Sequence, residues 1–139
     1  MRYVVHVFNI FRSCLPDTMK GNIPPEILAP LIDSLPLELT LIDADDKYIM
    51  WSQLDQEIFH RPDDILGKDV MVCHPRESHD KIRRLLEGMK SGEIDNQVHI
   101  KDCTGPGGEP ARIRMEYRAL RDSDGQYLGC LDIYQYLES

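Results

Sequence analysis

The chain has 139 residues, 42% of them hydrophobic, and a formal net charge of −8. This length suits one domain, and the apolar fraction is enough for a buried core. With 24 acidic against 16 basic side chains, the protein would be repelled by phosphate backbones, so the composition argues against nucleic-acid binding. The four cysteines contain no CxxC pair, which removes the spacing of zinc ribbons and thioredoxin-type motifs and favours free thiols in a reducing cytoplasm.

The first 35 residues differ in character from the remainder. Residues 1–11 are rich in Val, Phe and Ile and predict a short strand, but the run is well short of the ~20 residues that span a bilayer and has no signal-peptide cleavage site. We therefore expect a cytoplasmic protein with no membrane segment. Residues 24–35 predict an amphipathic helix, with Pro30 as a possible kink. Its apolar stripe consists of Ile27, Leu28, Leu31, Ile32 and Leu35.

From residue 36 onward the pattern is that of an α+β domain. Two short strands around an Asp-rich turn predict a hairpin, and the polar stretch 53–74 predicts several short helical turns. Pro75 then opens the longest predicted helix, which carries apolar residues at positions 82, 85, 86 and 89. Three more strands follow, and residues 111–120 alternate strictly between apolar and polar. We predict an N-terminal extension, residues 1–35, and one domain, residues 36–139, in which a five-stranded antiparallel sheet carries its helices on one face.

Four segments of this domain resemble a known family. The hairpin Leu41–Asp46, the segment Ile65–Val70 and the turn Asp122–Gly129 resemble a PAS domain with its C-terminal PAC segment. The stretch Val72–Ser78 is similar to the PAS domains found beside hemerythrin-like domains, and also to the haem-binding PAS modules of carbon-monoxide-responsive regulators. The resemblance implies a PAS fold and a sensory role.

His74 is the candidate ligand residue. In the haem-binding modules a histidine before the equivalent proline is an axial ligand of the iron, so the resemblance implies that His74 binds haem, and neutral imidazole suits that role. The sequence places His74 next to Pro75, at a predicted helix N-cap. The resemblance implies that it faces the cavity that PAS domains form between helices and sheet. The alternative interpretation is a capping or packing histidine.

A second axial ligand is left open, with Cys73, His99, Cys103 and Met115 as candidates. Cys73 adjoins His74, so the two cannot reach one iron from opposite faces. His99 lies on a strand where related haem modules place a ligand, but it alternates with Val98 and Ile100, which predicts that it faces away from the core. Met115 lies on the apolar face of its strand. Trp51 is a further candidate for lining the cavity.

No residue pattern indicates catalysis, because Ser78 and His79 lack an orienting acid and sequence neighbours do not form a triad by adjacency. The sequence therefore predicts a PAS sensor that binds a small ligand, with haem as the leading candidate for redox or gas sensing, and that signals to a partner protein. The alternative is a ligand-free PAS module for protein interaction. The unused stripe on residues 24–35 predicts a homodimer.

Overall fold

The computed structural model of this protein describes residues 19–137. Three 3₁₀ turns, Asp63–Ile65, Val70–Cys73 and Arg76–Ser78, lie between the second strand and the long helix. The strand predicted for residues 1–11 lies outside the described residues. The helices and strands are α1 (Pro25–Asp33), β1 (Glu38–Asp43), β2 (Tyr48–Trp51), α2 (His79–Ser91), β3 (Asn96–Thr104), β4 (Pro110–Arg121) and β5 (Tyr127–Leu137).

The five strands form one antiparallel sheet in the order β2-β1-β5-β4-β3. The last strand in the chain thus inserts beside the first, in the centre of the sheet. Gly129 permits this pairing at the start of β5, because a Cβ there would overlap the carbonyl oxygen of Ile42 on β1. The predicted fold class, an antiparallel sheet with short helices and one longer helix on one face, is confirmed.

Helix α2 covers one end of the inner face of the sheet. Its buried residues Leu85, Leu86 and Met89 pack with Ile42 of β1 and Cys130 of β5. The helix ends at Gly92, whose φ of 88° is a left-handed C-cap that glycine adopts without steric cost. The prediction that Pro75 opens this helix is wrong by one turn, because residues 76–78 first form a 3₁₀ turn and α2 begins at His79.

Helix α1 continues through Pro30 without a break and buries none of its residues. Ile27, Leu28 and Leu31 are 49%, 48% and 41% exposed. The apolar stripe predicted for this segment is therefore present, and these three residues are open to solvent in the single chain, whereas Ile32 and Leu35 are half-buried. Within residues 19–137, neither helix has the length and apolar character that a membrane crossing requires.

The outer face of the sheet carries three arginines of β4. Arg114 and Arg118 flank Glu116, with N–O distances of 2.8 and 3.2 Å, and Arg112 lies 3.7 Å from Asp102. The hydrogen bond from Arg114, more than any other interaction, holds the pKa of Glu116 below its usual range. These charges are paired within the chain.

Candidate functional site

A row of polar side chains crosses the inner face of the sheet from edge to edge. Strand register places one residue of each strand opposite its neighbour, and directly opposed side chains lie about 5 Å apart. We call this set the central row. Its members, in strand order, are Trp51, Thr40, Asp132, Tyr117 and Gln97.

A second polar group lies beside the central row, under the loop that follows β2. Glu38 is fully buried, and its carboxylate accepts hydrogen bonds from the backbone amides of Ile58 at 2.7 Å and Phe59 at 3.3 Å. The guanidinium of Arg61, which is 8% exposed, lies 3.8 Å from the same carboxylate. It also lies over the ring of Tyr134, 5.2 Å from its centroid. This loop is thus attached to the sheet through buried charges.

Asp132 connects the two groups. One of its carboxylate oxygens accepts a hydrogen bond from the Tyr134 hydroxyl at 2.9 Å, and the other accepts one from the Cys130 thiol at 3.3 Å. Burial raises the pKa of Asp132 to about 6, although these two donors and the nearby Arg61 oppose the increase. Burial also raises the pKa values of Tyr134 and Cys130, so both remain protonated donors at neutral pH.

Thr40 faces Asp132 across the β1–β5 pair and has no exposed surface. Its hydroxyl oxygen is buried and makes no hydrogen bond to any residue that the structure describes. An unpartnered buried hydroxyl destabilises a fold by about 1–3 kcal/mol. The central row therefore contains both a carboxylate with spare acceptor capacity and a hydroxyl that has no partner.

The central row is not equally covered along its length. Thr40 and Asp132 are buried, whereas Tyr117 and Gln97, towards the β3 edge, are only half-buried. Trp51, at the β2 edge, is half-buried as well. Two clefts lie elsewhere. One, of about 240 Å³, lies between α2 and the β1–β2 turn, and the other, of about 400 Å³, lies by Asp95 and Arg118.

His74 follows the 3₁₀ turn Val70–Cys73, as the C-cap of that turn rather than the predicted N-cap of the long helix. Its Nδ1–H donates to the carbonyl of Val70 at 2.8 Å, and its own carbonyl accepts from Nε2 of His79 at 2.9 Å. This arrangement fits the capping interpretation. In the neutral ring, a proton on Nδ1 also leaves the lone pair of Nε2 free, and a histidine that binds a metal ion through Nε2 needs this tautomer.

The predicted orientation of His99 is wrong. Val98 and Ile100 are 39% and 52% exposed on the outer face, while His99 is half-buried, with its ring 6.2 Å from that of Tyr117. It lies opposite Met115 in the β3–β4 pair. Its Nε2 is 2.6 Å from the side-chain amide of Gln97, so that nitrogen already has a hydrogen-bond partner.

The remaining predicted site residues are spread over the domain. Met115 is half-buried, and its sulfur accepts from the Tyr117 hydroxyl at 3.8 Å. Trp51 packs against the apolar core at the β2 end of the central row. Cys73 is exposed and Cys103 is half-buried on β3. The sheet thus brings His99, Met115 and Trp51 to one face.

The three buried charged residues of the inner face, Glu38, Arg61 and Asp132, were not predicted from the sequence. A signal was present for Asp132, because it alternates with Cys130 and Tyr134 at inward-facing positions of a strand. No comparable pattern marks Arg61, which lies in a polar loop 23 residues from the glutamate that it pairs with.

Comparison with known proteins agrees with this architecture. A family model described as a PAS domain matches residues 28–136. No curated protein sequence matches the chain.

Solved structures give the same fold. The C-terminal domain of a Streptococcus mutans protein is 25% identical with a TM-score of 0.76, covering 87% of this chain and 92% of that one. A sensory box sensor histidine kinase from Vibrio cholerae is 18% identical with a TM-score of 0.55, covering 82% and 91%. VqmA bound to DPO, a protein of the same organism, is 16% identical with a TM-score of 0.56, covering 79% and 56%. The last two show similarity of fold alone.

Proposed function

Because this chain belongs to the PAS domain family, we propose that it is a sensory module that binds a small ligand on the inner face of its sheet and signals the bound state to a partner protein. The observation that carries the proposal is the Thr40 hydroxyl, which is fully buried and unpartnered beside a buried carboxylate. Polar groups of this kind cost stability, and a ligand that bonds to them offsets the cost. VqmA, which shares this fold over 56% of its chain, has been solved bound to DPO.

Signalling requires that the ligand affect a part of the fold that a partner can reach. The loop 52–61 is attached to Glu38 through two backbone hydrogen bonds and Arg61. Glu38 and Thr40 lie on the same face of the same strand, so a ligand at Thr40 would be adjacent to this attachment. A change in the ligand state can therefore shift the loop between two arrangements.

The experiment is an amide NMR screen of the whole chain against a fragment library that spans cationic, neutral and anionic compounds. The proposal predicts that some fragment shifts the amide signals of the residues around Thr40 and Asp132 and of the loop 52–61. Two control regions, α1 and the turn at residues 105–108, should remain unshifted. If no fragment at millimolar concentration shifts the inner-face signals, the domain is a ligand-free interaction module.

Haem is a second candidate ligand, which the Nε2 lone pair of His74 favours. The resemblance of residues 72–78 to haem-binding PAS modules rests on the sequence alone. A porphyrin would have to displace side chains of the packed core that Ile65, Val70 and Met89 help to form. Haem titrated into the purified protein should give a Soret band that His74→Ala abolishes or shifts, with His60→Ala, an exposed histidine, as the control. An unchanged spectrum in His74→Ala would exclude His74 as the ligand.

We also propose that the module is a homodimer whose interface includes residues 24–35. The exposed stripe of α1 is a contiguous apolar surface, and burying each of its large side chains supplies about 1.5–3 kcal/mol before entropy losses. Light scattering at tens of micromolar should report a dimer that Leu31→Glu weakens and that Glu26→Gln, an exposed residue on the same helix, leaves intact. A monomeric wild-type chain would contradict the proposal.

A further inference from the structure

The charge balance of the buried inner face restricts the kind of ligand that it can accept. In the described part of the chain, the buried charged groups on this face are two carboxylates, Glu38 and Asp132, and one guanidinium, Arg61. Glu38 holds two backbone amides and has Arg61 within 3.8 Å. The hydrogen-bond donors to Asp132, by contrast, are the neutral groups of Tyr134 and Cys130. The negative charge of Asp132 therefore has no hydrogen-bonded cation.

Asp132 also has unused bonding capacity. A carboxylate offers about four lone-pair positions, and two donors occupy the two oxygens here. The unpartnered hydroxyl of Thr40 is on the directly opposed residue of β1, about 5 Å away between Cβ atoms. Together the two residues place a carboxylate and a hydroxyl, both able to accept hydrogen bonds from N–H donors, on neighbouring strands of one face.

Aromatic rings surround these oxygens. Tyr134 packs edge-on against Phe59, with ring centroids 5.0 Å apart, and against Tyr117, with centroids 6.3 Å apart. Trp51 lies opposite Thr40 on its other side. Ring faces attract cations and pack well against flat apolar bodies. An anion would instead be repelled by Asp132 and Glu38, and it could pair with Arg61 only by disrupting the ion pair between Arg61 and Glu38.

We propose that the ligand is a small, flat nitrogen compound that presents N–H donors, cationic or neutral, to Asp132 and Thr40. This inference rests on the proposed function and specifies the ligand class for the same site. The rise in the pKa of Asp132 to about 6 agrees with it, since a carboxylate that lacks a cationic partner gains one when such a ligand binds.

The test uses three nearly isosteric probes, benzamidine, benzamide and benzoate, titrated into the whole chain and followed by amide NMR. Benzamidine should bind most tightly and benzoate at least tenfold more weakly, with shifts centred on residues 38–42 and 130–134. Asp132→Asn should weaken the binding of benzamidine at least tenfold and reduce the difference in affinity between benzamidine and benzamide. Thr40→Val, which keeps the side-chain shape, should weaken the binding of both benzamidine and benzamide. Asp124→Asn, an exposed control, should change none of the affinities.

The outcomes separate the ligand class from the sensory function. Tighter binding of benzoate with the same inner-face shifts would overturn the ligand class and leave the sensory proposal standing. The ligand class would also be wrong, and the sensory proposal would still stand, if none of the three probes binds while other fragments shift these signals. If benzamidine binds but Asp132→Asn and Thr40→Val both leave its affinity unchanged, the assignment of these two residues is wrong.

Discussion

Replacing Asp132 with asparagine should change how the stability of the protein depends on pH. The carboxyl is buried among Cys130, Tyr134, Tyr117 and Arg61, and its pKa rises from 3.8 to about 6. Between these values the folded protein holds a proton that the unfolded chain releases, so the free energy of unfolding falls as pH rises. Asp132→Asn removes this loss, because an amide does not ionise.

The size of the change in the free energy of unfolding follows from the shift in the pKa of Asp132. Two pKa units correspond to about 3 kcal/mol, of which about 2 kcal/mol falls between pH 4.5 and pH 7.5. Urea denaturation of wild type and Asp132→Asn at these two pH values should therefore show the variant gaining about 2 kcal/mol relative to wild type as pH rises. Other titrating groups are common to both proteins and cancel in the difference.

The control for this measurement is Leu128→Ala at an exposed position, whose difference from wild type should be independent of pH because the substitution changes no titrating group. If the difference between Asp132→Asn and wild type is also independent of pH, burial does not perturb this carboxyl. A change in the opposite direction would mean that Arg61 lowers the pKa of Asp132 below its usual value, and the argument for an unpaired carboxylate would fail.

Two further substitutions test the polar groups around this site. Thr40→Val should stabilise the ligand-free protein by about 1 kcal/mol in urea denaturation, because it removes a buried hydroxyl that has no partner; destabilisation would show that the hydroxyl is hydrogen-bonded in solution. Glu38→Gln should destabilise the protein by about 3 kcal/mol, because it leaves Arg61 buried without its countercharge and removes one acceptor of the loop amides. Glu57→Gln, an exposed acid on the same loop, should stay within 0.5 kcal/mol of wild type, and equal effects of the two glutamine variants would contradict the role of Glu38.

Much of the fold could be predicted from the sequence because its signals are local. The alternation of residues 111–120 marks β4, which spans Pro110–Arg121. The turn at Asp122 also forms as its residues predict, with the Asp122 carboxylate accepting from the amides of Asp124 and Gln126. Such turns and alternations depend on neighbours within a few residues, so the chain itself encodes them.

The candidate site was harder to predict because polar residues point inward there and apolar residues point to solvent, the opposite of the usual pattern in a strand. On β3, a polar histidine and glutamine point inward while Val98 and Ile100 point to solvent, so the apolar pattern predicted the wrong face. The inner face can hold these polar residues because Tyr117 of β4 lies opposite Gln97, with its ring 6.2 Å from that of His99, and Asp132 of β5 lies opposite Tyr117. These partners come from distant parts of the sequence, and only the strand register brings them together.

The most direct test of the central claim is a crystal structure of the whole chain with the fragment that binds most tightly in the NMR screen. The account predicts that the fragment lies between the sheet and the loop 52–61, within hydrogen-bond distance of the Thr40 hydroxyl or the Asp132 carboxylate. A fragment found in the cleft between α2 and the β1–β2 turn, or on the outer face of the sheet, with the inner face unchanged, would contradict it.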